Sequence, residues 1–174
     1  MKASLLAIAL VGAALVTAFS HGRAQSAPAE LRIGTYDSRA VAGAYAASRF
    51  NPVAAKMKEL EAAKAAHDQH KVAELEAWGP AFQKALHRQG FGRVPVDDLL
   101  SQVRDRLPEA ARKAGVQAIV FASDWNAESV QVVDVTSEVV ELFEPTERTL
   151  ATIAELRKTA PLGLDELEAN EGKH

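Results

Sequence analysis

The chain of 174 residues contains no cysteine. That absence removes disulfide frameworks, thiolate catalysis, iron–sulfur clusters and every zinc site that relies on sulfur. A dominant charge is missing too: 20 Lys and Arg stand against 23 Asp and Glu, a formal net charge of −3. No electrostatic footprint for nucleic acid follows from such a balance. No Gly-rich phosphate loop, Gly-x-Ser-x-Gly elbow or His-Glu-x-x-His pattern occurs, so the reading is of a protein that is not an enzyme and holds no cofactor. What remains is a chain that is 48% hydrophobic and 25% charged, enough to bury a core of one domain and too apolar to be disordered throughout.

The apolar residues are unevenly spread. Ser4 to Phe19 holds only Leu, Ala, Ile, Val, Gly, Phe, Ser and Thr, behind Met1-Lys2. A charged start, an apolar stretch of about 15 residues and a small-residue exit match a secretory signal, whereas a stable spanning helix wants about 20. Gly22-Arg23-Ala24 puts small residues at the −3 and −1 positions, so cleavage is expected after Ala24, with Ser20 or Ala27 as other endings. Removing residues 1–24 takes away Lys2 and Arg23 and leaves 18 basic against 23 acidic residues, a mature charge of −5. The expected product is exported, with no stable membrane insertion.

Residues 25–30 form a polar leader. Leu31 to Asp37 reads as a strand ending at a helix-capping Asp, and Ser38 to Phe50 as a short Ala-rich helix. Asn51-Pro52 offers a cap and a first-turn proline for the next helix. From Val53 the pattern is helical, with a weak apolar seam of Val53, Met57 and Leu60, resumed by Val72, Leu75, Phe82 and Leu86. Gly79-Pro80 should kink or break it near Trp78, because an interior proline costs about 3 kcal/mol. A turn at Gln89 to Pro95 leads to a helix opening on Asp97 and Asp98, with an apolar stripe of Leu100, Val103, Leu107, Ala110 and Ala114, a bend at Pro108 and an end at Gly115.

After Gly115 the grammar changes. Val116 to Phe121 and Val130 to Val135 read as two strands, most simply an antiparallel hairpin. Asp134 or Thr136 then caps a helix that Pro145 stops, a further helix covers Thr146 to Lys158, and Pro161 to His174 reads as a loose acidic tail. The predicted class is α+β: a small β-sheet body with an inserted helical hairpin forming a short, bent arm over about 52–114, and C-terminal helices in an extension over 144–174.

Three strings carry a resemblance. Ile33-Gly34-Thr35-Tyr36-Asp37-Ser38 with Val41, Ala111 to Val120, and Asp134-Val135-Thr136-Ser137-Glu138-Val139 follow in this order around an Ala- and Lys-rich helical segment. Over residues 31–143 the chain resembles the Skp/OmpH-like periplasmic chaperones, as a shortened and atypical member. The resemblance implies a homotrimer whose sheets form a central body, with Val116 to Phe121 and Val130 to Val135 building it. It further implies helical arms that hold unfolded or outer-membrane proteins in the periplasm without ATP. The chain departs from the family in its shorter helical excursion, its acidic balance and its continuation past Pro145. The alternative reading is a trimeric structural or interaction module of the cell envelope that lacks a client cavity.

Several residues invite sharper roles. His67 and His70 stand at i, i+3 with Glu74 four residues further, a spacing that can hold a metal on a helix; no third and fourth ligand is identifiable, so a solvated polar face is the reading taken. Asp37 and Asp134 could form a carboxylate pair, but each sits where a strand gives way to a helix, and capping is the expected role. Gly90-Phe91-Gly92 reads as a turn, with a client-contacting tip formed by Phe91 as the alternative. Trp78 and Trp125 are core anchors or exposed binding aromatics, and both readings stand. No residue is assigned a catalytic, cofactor-binding or metal-ligating role.

Overall fold

The computed structural model describes residues 30–171; the expected signal peptide 1–24, and the leader apart from Glu30, lie outside the described residues. The chain begins with strand β1 (Leu31–Thr35), which runs into helix α1 (Ser38–Ala46). Asp37 caps this helix as predicted: it accepts a hydrogen bond from the Arg39 backbone N–H at 3.0 Å, satisfying a donor that the first turn leaves orphaned. Ala40, Val41, Ala42 and Ala44 are all buried, and their small side chains let neighbouring elements pack closely around α1.

Helices α2 (Val53–Ala65) and α3 (Gln69–Phe91) form the helical hairpin. Asn51 accepts from the Val53 N–H at 3.0 Å, so it supplies the capping oxygen expected at this start. The reversal, however, lies at Ala66 to Asp68 and not at Gln89 to Pro95. His67 adopts a left-handed conformation (φ 56°), and Asp68 caps α3 by accepting from the Lys71 N–H at 3.0 Å. The predicted interruption at Gly79-Pro80 is also corrected, since α3 continues through both residues. Pro80 is exposed, and packing holds the helix on either side: α3 contacts both α2 and α1. A single missing ladder bond on a solvated face is outweighed by those contacts.

The segment after α3 returns to the body in three short pieces, not as one long returning helix. These are α4 (Asp97–Leu100), a 3₁₀ segment (Ser101–Arg106) and α5 (Leu107–Ala114). The break falls at Val103 (φ −125°, ψ 17°), and Pro108 stands in the first turn of α5, where its missing N–H costs nothing. Of the predicted stripe, Val103 and Ala110 are buried, while Leu99 sits deeper than Leu100. Gly115 closes α5 in the left-handed region (φ 66°), and the Val116 N–H reaches the Ala111 carbonyl at 2.9 Å, a Schellman closure as glycine at this position predicts.

The main correction concerns the sheet. Strands β2 (Ala118–Val120) and β3 (Val130–Asp134) do not pair with each other; both lie parallel to β1 and flank it, in the order β2-β1-β3. Nine residues separate β2 from β3. An extended chain of that length reaches about 30 Å, enough to return to the start of so short a strand without the usual crossover helix. Helices α6 (Thr136–Glu141) and α7 (Glu147–Leu156) follow, and α7 docks on α1 with Ile153 against Gly43. The end is more ordered than the sequence suggests: helix α8 (Leu164–Glu171) buries Leu167 beside Gly92, and the Leu162 N–H bonds the Phe91 carbonyl at 2.9 Å. The result is the predicted α+β class. No helix among the described residues is long and apolar enough to cross a membrane.

Candidate functional site

Two features of the small sheet stand out. The first is its outer face. Side chains alternate along a strand, so the register assigns each residue to a side. Gly34, Ile119 and Val133 share one side, where Ile119 and Val133 pack on the buried core. The opposite side carries Leu31, Ile33, Ala118, Val120, Val130 and Val132 in register, with Thr35 and Asp134 at its C-terminal end. None of the six apolar residues belongs to the core, and Leu31 and Val132 are each 45% exposed. A sheet buried on both faces reads as continuous apolar strands; this one is apolar on much of both sides, and its outer side is only partly covered by described residues, with Ile33, Ala118, Val120 and Val130 half-buried. The outer edges of β2 and β3 carry no further strand among the described residues.

The second feature lies at the C-terminal ends of β1 and β3. A cavity of about 280 Å³ opens there, lined by Asp37, Arg39, Arg93, Asp134, Thr136 and Arg157 together with Thr35, Tyr36 and Pro161. The parallel arrangement brings Asp37 and Asp134 to this shared rim. Asp37 forms a bidentate pair with Arg39, Nε to Oδ1 at 3.1 Å and Nη2 to Oδ2 at 2.8 Å, and Arg39 also donates to the Thr159 carbonyl at 2.9 Å. Asp134 accepts from the Thr136 N–H at 2.9 Å and from its hydroxyl at 2.5 Å, and pairs with Arg157 through the other oxygen. Thr136 Oγ1 in turn accepts from the Asp37 N–H at 2.9 Å, linking the two strand ends.

These contacts set the charge state. Burial alone would push both carboxyls up, but hydrogen bonds and nearby guanidinium charge prevail, from Arg39 at Asp37 and from Thr136 and Arg157 at Asp134. Both therefore sit below the ordinary carboxylate value. Tyr36 is pushed up to about 12 by burial and then by the negative charge of Asp97, so its phenol stays protonated. Asp37 performs the predicted capping role; at α6 the N-cap is Val135, and Asp134, one residue earlier, accepts from the Thr136 N–H that opens the helix.

The remaining sequence candidates fall elsewhere. His67 stands in the left-handed turn between α2 and α3, with His70 and Glu74 on α3; all are exposed, and Glu74 pairs with Lys71 at 2.8 Å. Among the described residues no group of three or more His, Cys, Asp or Glu is placed to hold a metal. Trp78 is half-buried and stacks on Phe82 with centroids 4.9 Å apart, whereas Trp125 is 80% exposed in the loop between β2 and β3. Gly90 and Phe91 belong to the last turn of α3, so the expected turn begins only at Gly92, and Phe91 is exposed beside His87. On the hairpin, Val53 and Met57 are exposed and Ala63 and Leu75 are buried. Arg39, Arg93 and Arg157 were not singled out by the sequence; they lie far apart in the chain and converge only through the fold.

Comparison of the chain with protein-family models, with curated proteins and with solved structures returned no match.

Proposed function

We propose that this protein is a self-associating, ATP-independent binding protein of the periplasm, a homotrimer of the Skp/OmpH type that holds unfolded or outer-membrane proteins. The partly covered apolar sheet face carries this reading. Leu31, Ile33, Ala118, Val120, Val130 and Val132 form a contiguous patch on the described body. Such a patch on a small domain marks a surface that another chain covers. A second and third copy of the same strand face satisfy that demand, and the solvated hairpin of α2 and α3 then projects from the shared body as the client-contacting arm. Holding is the function suited to such a module, since shielding apolar strands from other chains needs many weak contacts and no bond chemistry.

Light scattering and sedimentation of the protein at micromolar concentration test the premise. The expected species is a trimer, and Val132→Asp should return it to monomer while leaving circular dichroism unchanged, because a carboxylate buried without a partner costs several kcal/mol. A monomeric parent would overturn the proposal.

One observation favours the second reading, a trimeric envelope module without a client cavity. Helix α2 has 13 residues, about 20 Å at 1.5 Å per residue, and α3 packs on α1 as well as on α2, so little of the arm stands free. Suppression of aggregation of a denatured β-barrel protein separates the two. Protection at a threefold excess of trimer supports the holdase; its absence, with the trimer intact, supports the interaction module.

A further inference from the structure

We infer that the cavity at the C-terminal ends of β1 and β3 is a carboxylate-binding site centred on Arg93. The argument rests on counting donors and acceptors. Both oxygens of Asp37 are engaged by Arg39, and both oxygens of Asp134 are engaged by Thr136 and Arg157. Each carboxylate thus accepts three hydrogen bonds and keeps one of its four lone-pair sites, so the acceptors built into the cavity are largely used. The donors are not. A guanidinium carries five N–H groups; Arg39 uses three on Asp37 and Thr159, and Arg157 uses one on Asp134. Arg93 makes no ion pair or hydrogen bond with a described residue; it lies over the Phe121 ring, 5.9 Å from its centroid. Tyr36 also lines the cavity.

Charge selects the ligand. Three guanidinium groups against two carboxylates leave one positive charge, which a monoanion neutralises and a dianion overshoots. A planar carboxylate also matches the fork of an unpaired guanidinium. The position fits: in open sheets with parallel strands, ligands bind outside the carboxyl ends of the strands. A volume of about 280 Å³ admits a small organic acid or the last residues of a polypeptide. The site adjoins the apolar face, since Thr35 and Asp134 follow Ile33 and Val132 on the same side of the sheet, but all its lining residues come from one chain.

Arginine-detected NMR titration of the protein tests the idea with three probes: acetate, a tripeptide with a free C-terminus, and the same tripeptide amidated. Saturable shifts at the Arg93 and Arg157 Nε–Hε signals are expected with carboxylate probes and none with the amide. Arg93→Gln, at an exposed position, should weaken binding at least tenfold, the loss expected for a charge-assisted hydrogen bond. Arg112→Gln, at an exposed site on α5, should leave it unchanged. Tighter binding of the free tripeptide than of acetate identifies chain termini as the ligand; equal binding identifies small acids. No saturable shift with either carboxylate, equal binding of the amide, or equal weakening by the two variants would overturn the assignment.

Discussion

Thr136 offers the sharpest test of how the strand ends are held. Its side chain is buried, and its hydroxyl makes two bonds at once, accepting from the Asp37 N–H at 2.9 Å and donating to Asp134 Oδ1 at 2.5 Å. Thr136→Val keeps the shape and removes both. The Asp37 N–H then lacks its partner in a partly buried place, a loss of about 1–3 kcal/mol. Asp134 loses a charge-assisted bond, but its side chain is 56% exposed and water replaces much of that bond, so roughly 1 kcal/mol more is expected. The sum is about 2–4 kcal/mol, a large part of the 5–15 kcal/mol typical of a domain. Thr136→Ser retains both bonds and drops one buried methyl, which costs about 1 kcal/mol. Urea unfolding at pH 7, followed by circular dichroism with the slope held constant, measures both variants. The reasoning fails if the valine variant lies within about 0.5 kcal/mol of the parent, or if serine costs as much as valine.

Two further outcomes are expected. In Gly34→Ala the new methyl would meet both Val135 γ-carbons at 2.8 Å, so overpacking should cost about 1–3 kcal/mol. Val135→Ala should rescue part of that loss, and strictly additive costs in the double variant would contradict the contact. Asp37 and Asp134 titrate below their unfolded value of about 3.9, so their stabilisation is complete above that pH and disappears as pH falls through the lower native values. Asp37→Asn keeps a capping side chain but not the charge, and its stability should fall less steeply between pH 5 and 2; parallel slopes for the two proteins would refute this.

Local signals in the sequence translated well wherever one residue has a single economical conformation. Asp37 before α1, Gly115 after α5, and Asp97 and Asp98 in the first turn of α4 all behave as their chemistry dictates. Pairing was less accessible. Alternation says which side of a strand is apolar but not which strand lies beside it, and the loop over 121–129 is long enough either to close a hairpin or to cross back. Gly79-Pro80 misleads because a helix held at both ends tolerates one lost bond, while the true reversal at His67 carries neither glycine nor proline. Asp68, a capping residue, is the signal that marks it. The arginines of the strand-end cavity form no local motif, so only the folded chain brings them together. The outer apolar face was readable from the strands themselves, since both were apolar on alternate and intervening positions.

The position of β1 between its two neighbours has a consequence for how the molecule assembles. Arg32 bonds Gln117 across 85 residues, and Asp37 bonds Thr136 across 99. No pair of adjacent segments can start this sheet, because β2 and β3 do not pair with each other and each needs β1 as its template. Closing loops of this length precedes any reward from the strands, and such topologies fold slowly. A chain cut short before Ala118 therefore holds a solitary β1 with nothing to pair with. Synthesis must pass Asp134 before the three-stranded sheet is complete, and until Val120 has been added the first strand has no partner at all.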